Sequence, residues 1–447
     1  MNMYIDPGTG SMLFTILIGV IGASIYSLRM FFIKLRYKMG GGKAEETDKK
    51  TPLVIFSDNK RYWSIFEPIC RALEKKGIEV KYITASSDDP AFETSLSNVK
   101  AECAESENKL FTKLNFLNAT VVFSTTPGLD VYQWKRSKDV DYYVHIPHAA
   151  NDITLYRMFG IDYYDSILLS GDYQIDDIRA LEKIRNLPEK ELVKVGIPYM
   201  DEMAKRLKCS PAPEKHERTV LLAPSWGKSA IFGVYGSKII DVLLATGYHV
   251  IIRPHPQSFD SETELMEKLM KEYPESDRLE WNRDRDNFDV LNRSDILISD
   301  FSGVVFDFAL VYDKPIIYTN PQIDTSVYDA WWLKKPLWTA SALPRIGMEL
   351  TDDNMENLKE LIDTCIGDSR FAEGRAEVKA ETWANFGGGA EAVADYLEAK
   401  IKELTPAKPE VQEENVEGNV FIDETAAPST EESNDTDIDG SETGEGK

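Results

Sequence analysis

The sequence predicts an α/β protein built on parallel, doubly wound sheets, and three observations carry that expectation. Short apolar runs recur along the chain: Pro52–Ser57, Glu79–Thr84, Val121–Ser124 and Tyr142–Ile146, then Val220–Ala223, His249–Ile252 and Ile296–Ile298. Segments with helical apolar spacing lie between several of them, such as Ile65–Lys76, which Gly77 stops, and Ser237–Thr246, which Gly247 ends. Strands alternating with helices in this way imply parallel sheets. Third, the runs end in turns of small and polar residues, and in such sheets ligands sit at the carboxyl ends of the strands.

The 447 residues are too many for one ordinary domain and suit two domains with extras. An apolar content of 43% supplies real cores, and a formal charge of −24 argues against general nucleic-acid binding. Cys70, Cys103, Cys209 and Cys365 show no C-x-x-C spacing, so they predict neither a zinc site nor a disulfide framework, and they fit a reducing compartment. No cluster of metal-ligand spacing is apparent.

Taken in order, Tyr4–Ser11 reads as a short external turn, followed by an uncharged apolar run of seventeen residues, Met12–Leu28. As a helix that run spans about 26 Å, near the lower limit for crossing a bilayer. Arg29, Lys34, Arg36, Lys38 and Lys43 all follow it, which places the C-terminal side in the cytoplasm by the positive-inside rule. Residues 1–38 therefore read as a turn plus a single membrane anchor, with an interfacial helix as the other reading. The Gly40–Gly41–Gly42 stretch makes 39–51 a linker. From Thr405 to Lys447 thirteen acidic residues face two lysines, a net charge of −11 with few apolar side chains. Such a stretch cannot bury enough surface to offset its ordering entropy, so 405–447 reads as a disordered acidic tail.

Between linker and tail, 52–207 and 208–404 form the two expected domains, with Lys208–Arg218, carrying Pro211 and Pro213, as the hinge. In the first, Tyr142–Ile146 runs into Pro147–His148. A histidine just past a strand end is placed to take a proton from a hydroxyl. His145 competes for that role, because strand alternation does not tell which face is buried. Leu169–Ser170–Gly171 ends another strand, and Gly196 and Pro198 punctuate the turn before the crossover.

In the second domain, Pro224–Ser225–Trp226–Gly227–Lys228 is a small-residue turn with an adjacent cation that suits a phosphate. Arg253–Pro254–His255–Pro256 follows the strand His249–Ile252. The organising stretch is Ser299–Asp300–Phe301–Ser302–Gly303, which leaves Ile296–Ile298 and enters a helix over Val304–Tyr312. A helix N-terminus offers free N–H groups to an anion. The plain alternative is that Ser299 and Ser302 only cap that helix.

The Arg-Pro-His-Pro turn, the Asp-Phe-Ser…Phe-Asp segment ending at Asp307, and Lys314–Pro315 before Ile316–Tyr318 together resemble the CDP-glycerol glycerophosphotransferase family, the teichoic-acid primases and polymerases. The resemblance runs over roughly Pro52 to Tyr396 and is sharpest in the C-terminal half. Val195–Gly196–Ile197–Pro198–Tyr199–Met200–Asp201 resembles the family's Val-Gly-x-Pro-x-x-Asp turn. His148 resembles the histidine of its Trp-His-Gly motif, although Pro147 and Ala149 flank it here, and Gly303 stands where the family carries a second serine.

The resemblance implies two Rossmann-like domains facing a cleft, the GT-B arrangement. It implies transfer of glycerol phosphate, or a related polyol phosphate, from a CDP-activated donor to a membrane-associated hydroxyl acceptor in cell-envelope polymer synthesis, with no cofactor and no metal. His148 and His255 are then the catalytic histidines, His148 deprotonating the acceptor. Arg253, His255, Ser299, Asp300, Ser302, Gly303, Ser225 and Lys228 hold the donor phosphates, and Asp307 or Asp300 contacts the ribose. A GT-B glycosyltransferase, a sugar-nucleotide epimerase and a catalytically silent membrane scaffold are the competing expectations.

Overall fold

The computed structural model describes residues 50–405 except 105, 212–216, 285 and 321–323, together with Ser24 and Leu28. Apart from those two helical positions, the anchor read over 12–28 lies outside the described residues, as does the acidic tail from 406 onward. No helix among the described residues is long and apolar enough to cross a membrane.

Two sheets, both wholly parallel, form the framework. The first joins seven strands: β1 (Thr51–Ser57), β2 (Val80–Thr84), β3 (Val99–Cys103), β4 (Asn118–Ser124), β5 (Asp139–His145), β6 (Ser166–Leu169) and β7 (Glu191–Lys194), in the order β3-β2-β1-β4-β5-β6-β7. The second joins six: β8 (Thr219–Leu222), β9 (His249–Ile252), β10 (Leu279–Trp281), β11 (Ile296–Ser299), β12 (Ile316–Tyr318) and β13 (Gly347–Glu349), in the order β10-β9-β8-β11-β12-β13. In each sheet the order reverses once, between β1 and β4 and between β8 and β11. A crevice opens at such a switch point, because the loops on its two sides leave toward opposite faces.

The central strands are near-continuous apolar runs because helices cover both faces of the sheet. Leu53 and Ile55 of β1 pack with Phe66, Ile69 and Leu73 of helix Trp63–Lys75, while Val54 and Phe56 face the opposite core with Leu110 and Leu114 of helix Glu107–Asn115. The helix expected over Val304–Tyr312 is α-helical only at Val304–Phe306 and widens into a π-helix over Asp307–Val311.

The C-terminal helices break at the glycine run: one covers Arg370–Thr382 and the next Gly389–Leu404. Asp201 supplies the reason. Its carboxylate accepts from Trp383 Nε1 at 2.8 Å, Gly387 N at 2.7 Å and Gly389 N at 2.9 Å, which satisfies the start of the last helix. Gly196, at φ +89°, is required because a Cβ there would sit 2.0 Å from the Ala384 carbonyl oxygen. The Val-Gly-x-Pro-x-x-Asp turn is thus the latch for the returning chain. The sequence assigns 389–404 to the second domain, yet Val393, Ala394 and Leu397 enter the core of the first, against helix Trp63–Lys75.

Candidate active site

The carboxyl ends of β1, β4 and β5 lie in register, with Phe56 beside Ser124 and Ser124 beside His145. Three turns leave from this edge. After β1, the Asn59 side chain accepts from Arg61 N at 3.1 Å and caps the short turn Lys60–Tyr62. After β4 come Thr125 and Thr126, and after β5 Pro147 and His148.

The two histidines are unlike. His145 is fully buried, with Nε2 3.3 Å from the Tyr156 hydroxyl and its ring centroid 4.9 Å from that of Tyr164. Burial holds its imidazole near pKa 3. His148 is half-buried, its ring 5.3 Å from Tyr62 and 6.1 Å from Tyr156, and its Nδ1 has no protein partner among the described residues. Burial, with a smaller push from the Arg61 guanidinium, lowers it to about 4. Both rings are neutral at pH 7, the state in which an imidazole accepts a proton. Asp58 keeps solvent access, yet enclosure raises its carboxyl, while Thr126 and Arg61 pull it back down.

In the second half the turns are tied to one another. His255 N donates to the Pro224 carbonyl at 3.2 Å, and His255 Nδ1 accepts from Gln257 N at 3.1 Å. The neutral ring therefore carries its proton on Nε2, which is left as a donor. Arg253 is committed on two sides, donating to Asn282 Oδ1 and, at 2.9 Å, to the Asp284 carbonyl. Ser302 and Gly303 are half-buried at the end of β11, and Lys228 is exposed.

Three of the residues expected on the donor are turned into the protein instead. Ser299 is fully buried and donates to the Ala223 carbonyl at 2.6 Å. Asp300 is fully buried, and its carboxylate accepts from Ser225 N at 3.0 Å and Ile231 N at 3.1 Å, so it fastens the turn after β8 to the turn after β11. A carboxylate spent on backbone N–H groups shapes the turn and does not project from it. Asp307 is buried too and accepts from the Tyr199 hydroxyl at 2.5 Å, which leaves it no route to a ribose. Lys314 likewise faces inward and donates to the carbonyls of Asn292 and Ser294, capping helix Phe288–Arg293.

The two halves meet at these turns. A Cβ on Gly303 would lie 3.1 Å from Ala149 Cβ and 3.3 Å from Asn151 Nδ2. Asp152 accepts from Trp338 N at 2.5 Å and Thr339 N at 3.1 Å, capping helix Trp338–Ile346 across the junction. Beside this contact is a cavity of about 160 Å³ lined by Asn151, Ser302, Thr319, Asn320 and Thr339 among others. Farther along, Arg185 is enclosed by Asp162 at 2.6 Å and Asp329 at 2.5 Å. Asp58, Arg61 and Tyr62 are not among the residues that the sequence singles out. The signal for them was present, a polar turn directly after the first strand.

Two parallel sheets with polar turns at both switch points define a GT-B-like fold. Residues 164–330 match the sequence model of the family described as CDP-glycerol:poly(glycerophosphate) glycerophosphotransferase. Among solved structures, the wall teichoic acid polymerase TagF soaked with CDPG is similar at TM-score 0.50 and 15% identity, over 84% of this chain and 98% of that one. A putative UDP-N-acetylglucosamine 2-epimerase from Listeria monocytogenes is similar at TM-score 0.51 and 11% identity, over 79% and 98%. The Methanocaldococcus jannaschii UDP-GlcNAc 2-epimerase in complex with UDP-GlcNAc and UDP gives 0.51 and 14%, over 78% and 99%. At these identities the likeness is one of fold. No curated protein sequence matches the chain.

Proposed function

We propose that this protein transfers glycerol phosphate, or a related polyol phosphate, from a CDP-activated donor to a hydroxyl acceptor. The observation that carries the reading is the junction itself: the His148–Asn151 turn lies against Ser302–Gly303 at the second switch point. A base from one half is thereby brought beside an anion-suited helix start from the other. Neutral His148 removes the acceptor proton as the hydroxyl oxygen bonds to the phosphorus carrying the glycerol. The phosphoanhydride bond breaks, and CMP leaves with the electron pair. Arg253, Ser302 and the Nε2–H of His255 stabilise the charge that collects on the departing phosphate.

Donor profiling tests this. CDP-glycerol is offered against UDP- and GDP-sugars with a polyol-phosphate acceptor, and released nucleotides are separated. Release of CMP with growth of the acceptor is the expected result. A nucleoside diphosphate released from a sugar nucleotide would establish a glycosyltransferase. Binding of CDP-glycerol without turnover on any acceptor would establish a scaffold.

The reading extends to placement in the cell. Residues 1–38 anchor the chain in the membrane through the apolar run Met12–Leu28, the catalytic body is cytoplasmic, the acceptor is membrane-associated, and the acidic tail is dispensable for folding. Support comes from the basic residues that follow the run and from the composition of the tail. A reporter fused after Lys447 should behave as cytoplasmic, and an external signal would overturn the orientation.

A further inference from the structure

We propose that Arg61, on the turn after β1, binds the reacting phosphoryl group of the donor from the half opposite the Arg253–His255 turn. The inference rests on the transfer reading above and adds a residue to it.

A donor diphosphate needs cations, and most of those near the cleft are already engaged. Arg253 is held by Asn282 and Asp284, and Lys60, next to Arg61, pairs with Asp88. Arg61 is exposed, and its guanidinium forms no ion pair among the described residues. Its backbone is nevertheless fixed: its N–H is capped by Asn59, and its carbonyl accepts from Ser64 Oγ at 3.1 Å. A free guanidinium on an anchored turn loses little entropy on binding an anion and offers a planar fork that matches phosphate oxygens.

Position adds to this. The turn leaves the sheet at the first switch point, where ligands of doubly wound sheets bind. The guanidinium carbon lies 5.6 Å from the Tyr62 ring centroid, and that ring packs on His148. The charge is felt by Asp58, Tyr62 and His148 in the first half and by His255 in the second. Arg61 therefore lies within electrostatic reach of both the acceptor-side base and the donor turn, where the phosphoryl group must pass. Asp58 is the one carboxylate among these neighbours.

The test compares wild type, Arg61→Gln, Arg61→Lys and Lys60→Ala, with CDP-glycerol binding by calorimetry and turnover followed across pH. Arg61→Gln should lower kcat/KM about 10- to 100-fold, as expected for loss of a hydrogen bond to a charged group. Arg61→Lys should recover part of it, and Lys60→Ala should leave it unchanged. In Arg61→Gln the acid limb of the rate profile should move to higher pH, because His148 loses a repelling neighbour and protonates more readily. A merely structural role would not move that limb. Turnover within twofold of wild type with an unmoved limb in folded Arg61→Gln overturns the inference. If wild type itself fails to bind CDP-glycerol, the functional reading falls, and this inference falls with it.

Discussion

The Cβ that Gly303 lacks would sit 3.1 Å from the methyl of Ala149, across the junction between the two halves. These are two positions where the chain departs from the family's motifs, which carry a serine and a glycine there. The two positions touch, so a side chain at 303 would compete for the space that the Ala149 methyl fills.

Gly303→Ser alone should therefore overpack the junction and cost about 1–3 kcal/mol. Adding Ala149→Gly should return most of that loss, so the pair is non-additive. Denaturant unfolding of the two single variants and the double variant measures the coupling. Costs that simply add would show that the contact is loose enough to absorb a side chain.

His148→Ala should lower turnover about 100- to 10,000-fold while donor affinity stays near wild type, because the proposed base acts on the acceptor and its loss leaves Arg61, Arg253 and His255 in place. In wild type the acid limb of kcat should lie below pH 5, since the folded imidazole titrates near 4. Stability carries a matching sign. Both histidines sit below their ordinary 6.5 when folded, so on acidification the unfolded chain takes up protons that the folded chain refuses. Unfolding free energy should fall from about pH 6.5 downward, with the loss complete near the folded values. His145→Phe, which removes the more deeply buried ring, should flatten that slope. An unchanged slope would show that His145 protonates without unfolding.

Arg185 is nearly buried between Asp162 and Asp329, with 5% of its side chain exposed. Asp329 also accepts from Phe159 N at 2.8 Å and Gly160 N at 3.2 Å, so this group fastens the segment after β12 to the first half. Arg185→Ala leaves two buried carboxylates facing each other and should cost about 3–5 kcal/mol. Chemical denaturation reads that loss. A cost below about 1 kcal/mol would mean that the carboxylates become solvated or protonated without penalty.

Legibility in the sequence followed burial. Strands covered on both faces, such as β1, β4, β8, β9 and β11, are apolar runs and were readable within a few residues. The strands that escaped notice, β3, β7, β10 and β13, are the outer strands of the two sheets. An outer strand is covered less completely, so Val99–Cys103 and Glu191–Lys194 carry charges among their apolar residues and do not stand out. At the site, turn positions were legible and side-chain directions were not. Ser299 and Asp300 belong to a small-residue turn after a strand, but whether such a side chain faces a ligand or the backbone beneath depends on neighbours remote in sequence. Arg61 shows the converse, because its significance depends on what the other half brings opposite it.

The return of helix Gly389–Leu404 to the first sheet has a consequence for biosynthesis. The face of the β1 sheet covered by Val393, Ala394 and Leu397 belongs to strands made early, but the covering helix is made only after the whole second sheet. A nascent chain carrying only the first seven strands displays an apolar surface that nothing yet shields. Independent N-terminal maturation, the usual habit of multidomain chains, is therefore closed to this one. Completion of the first core should follow synthesis of the second sheet.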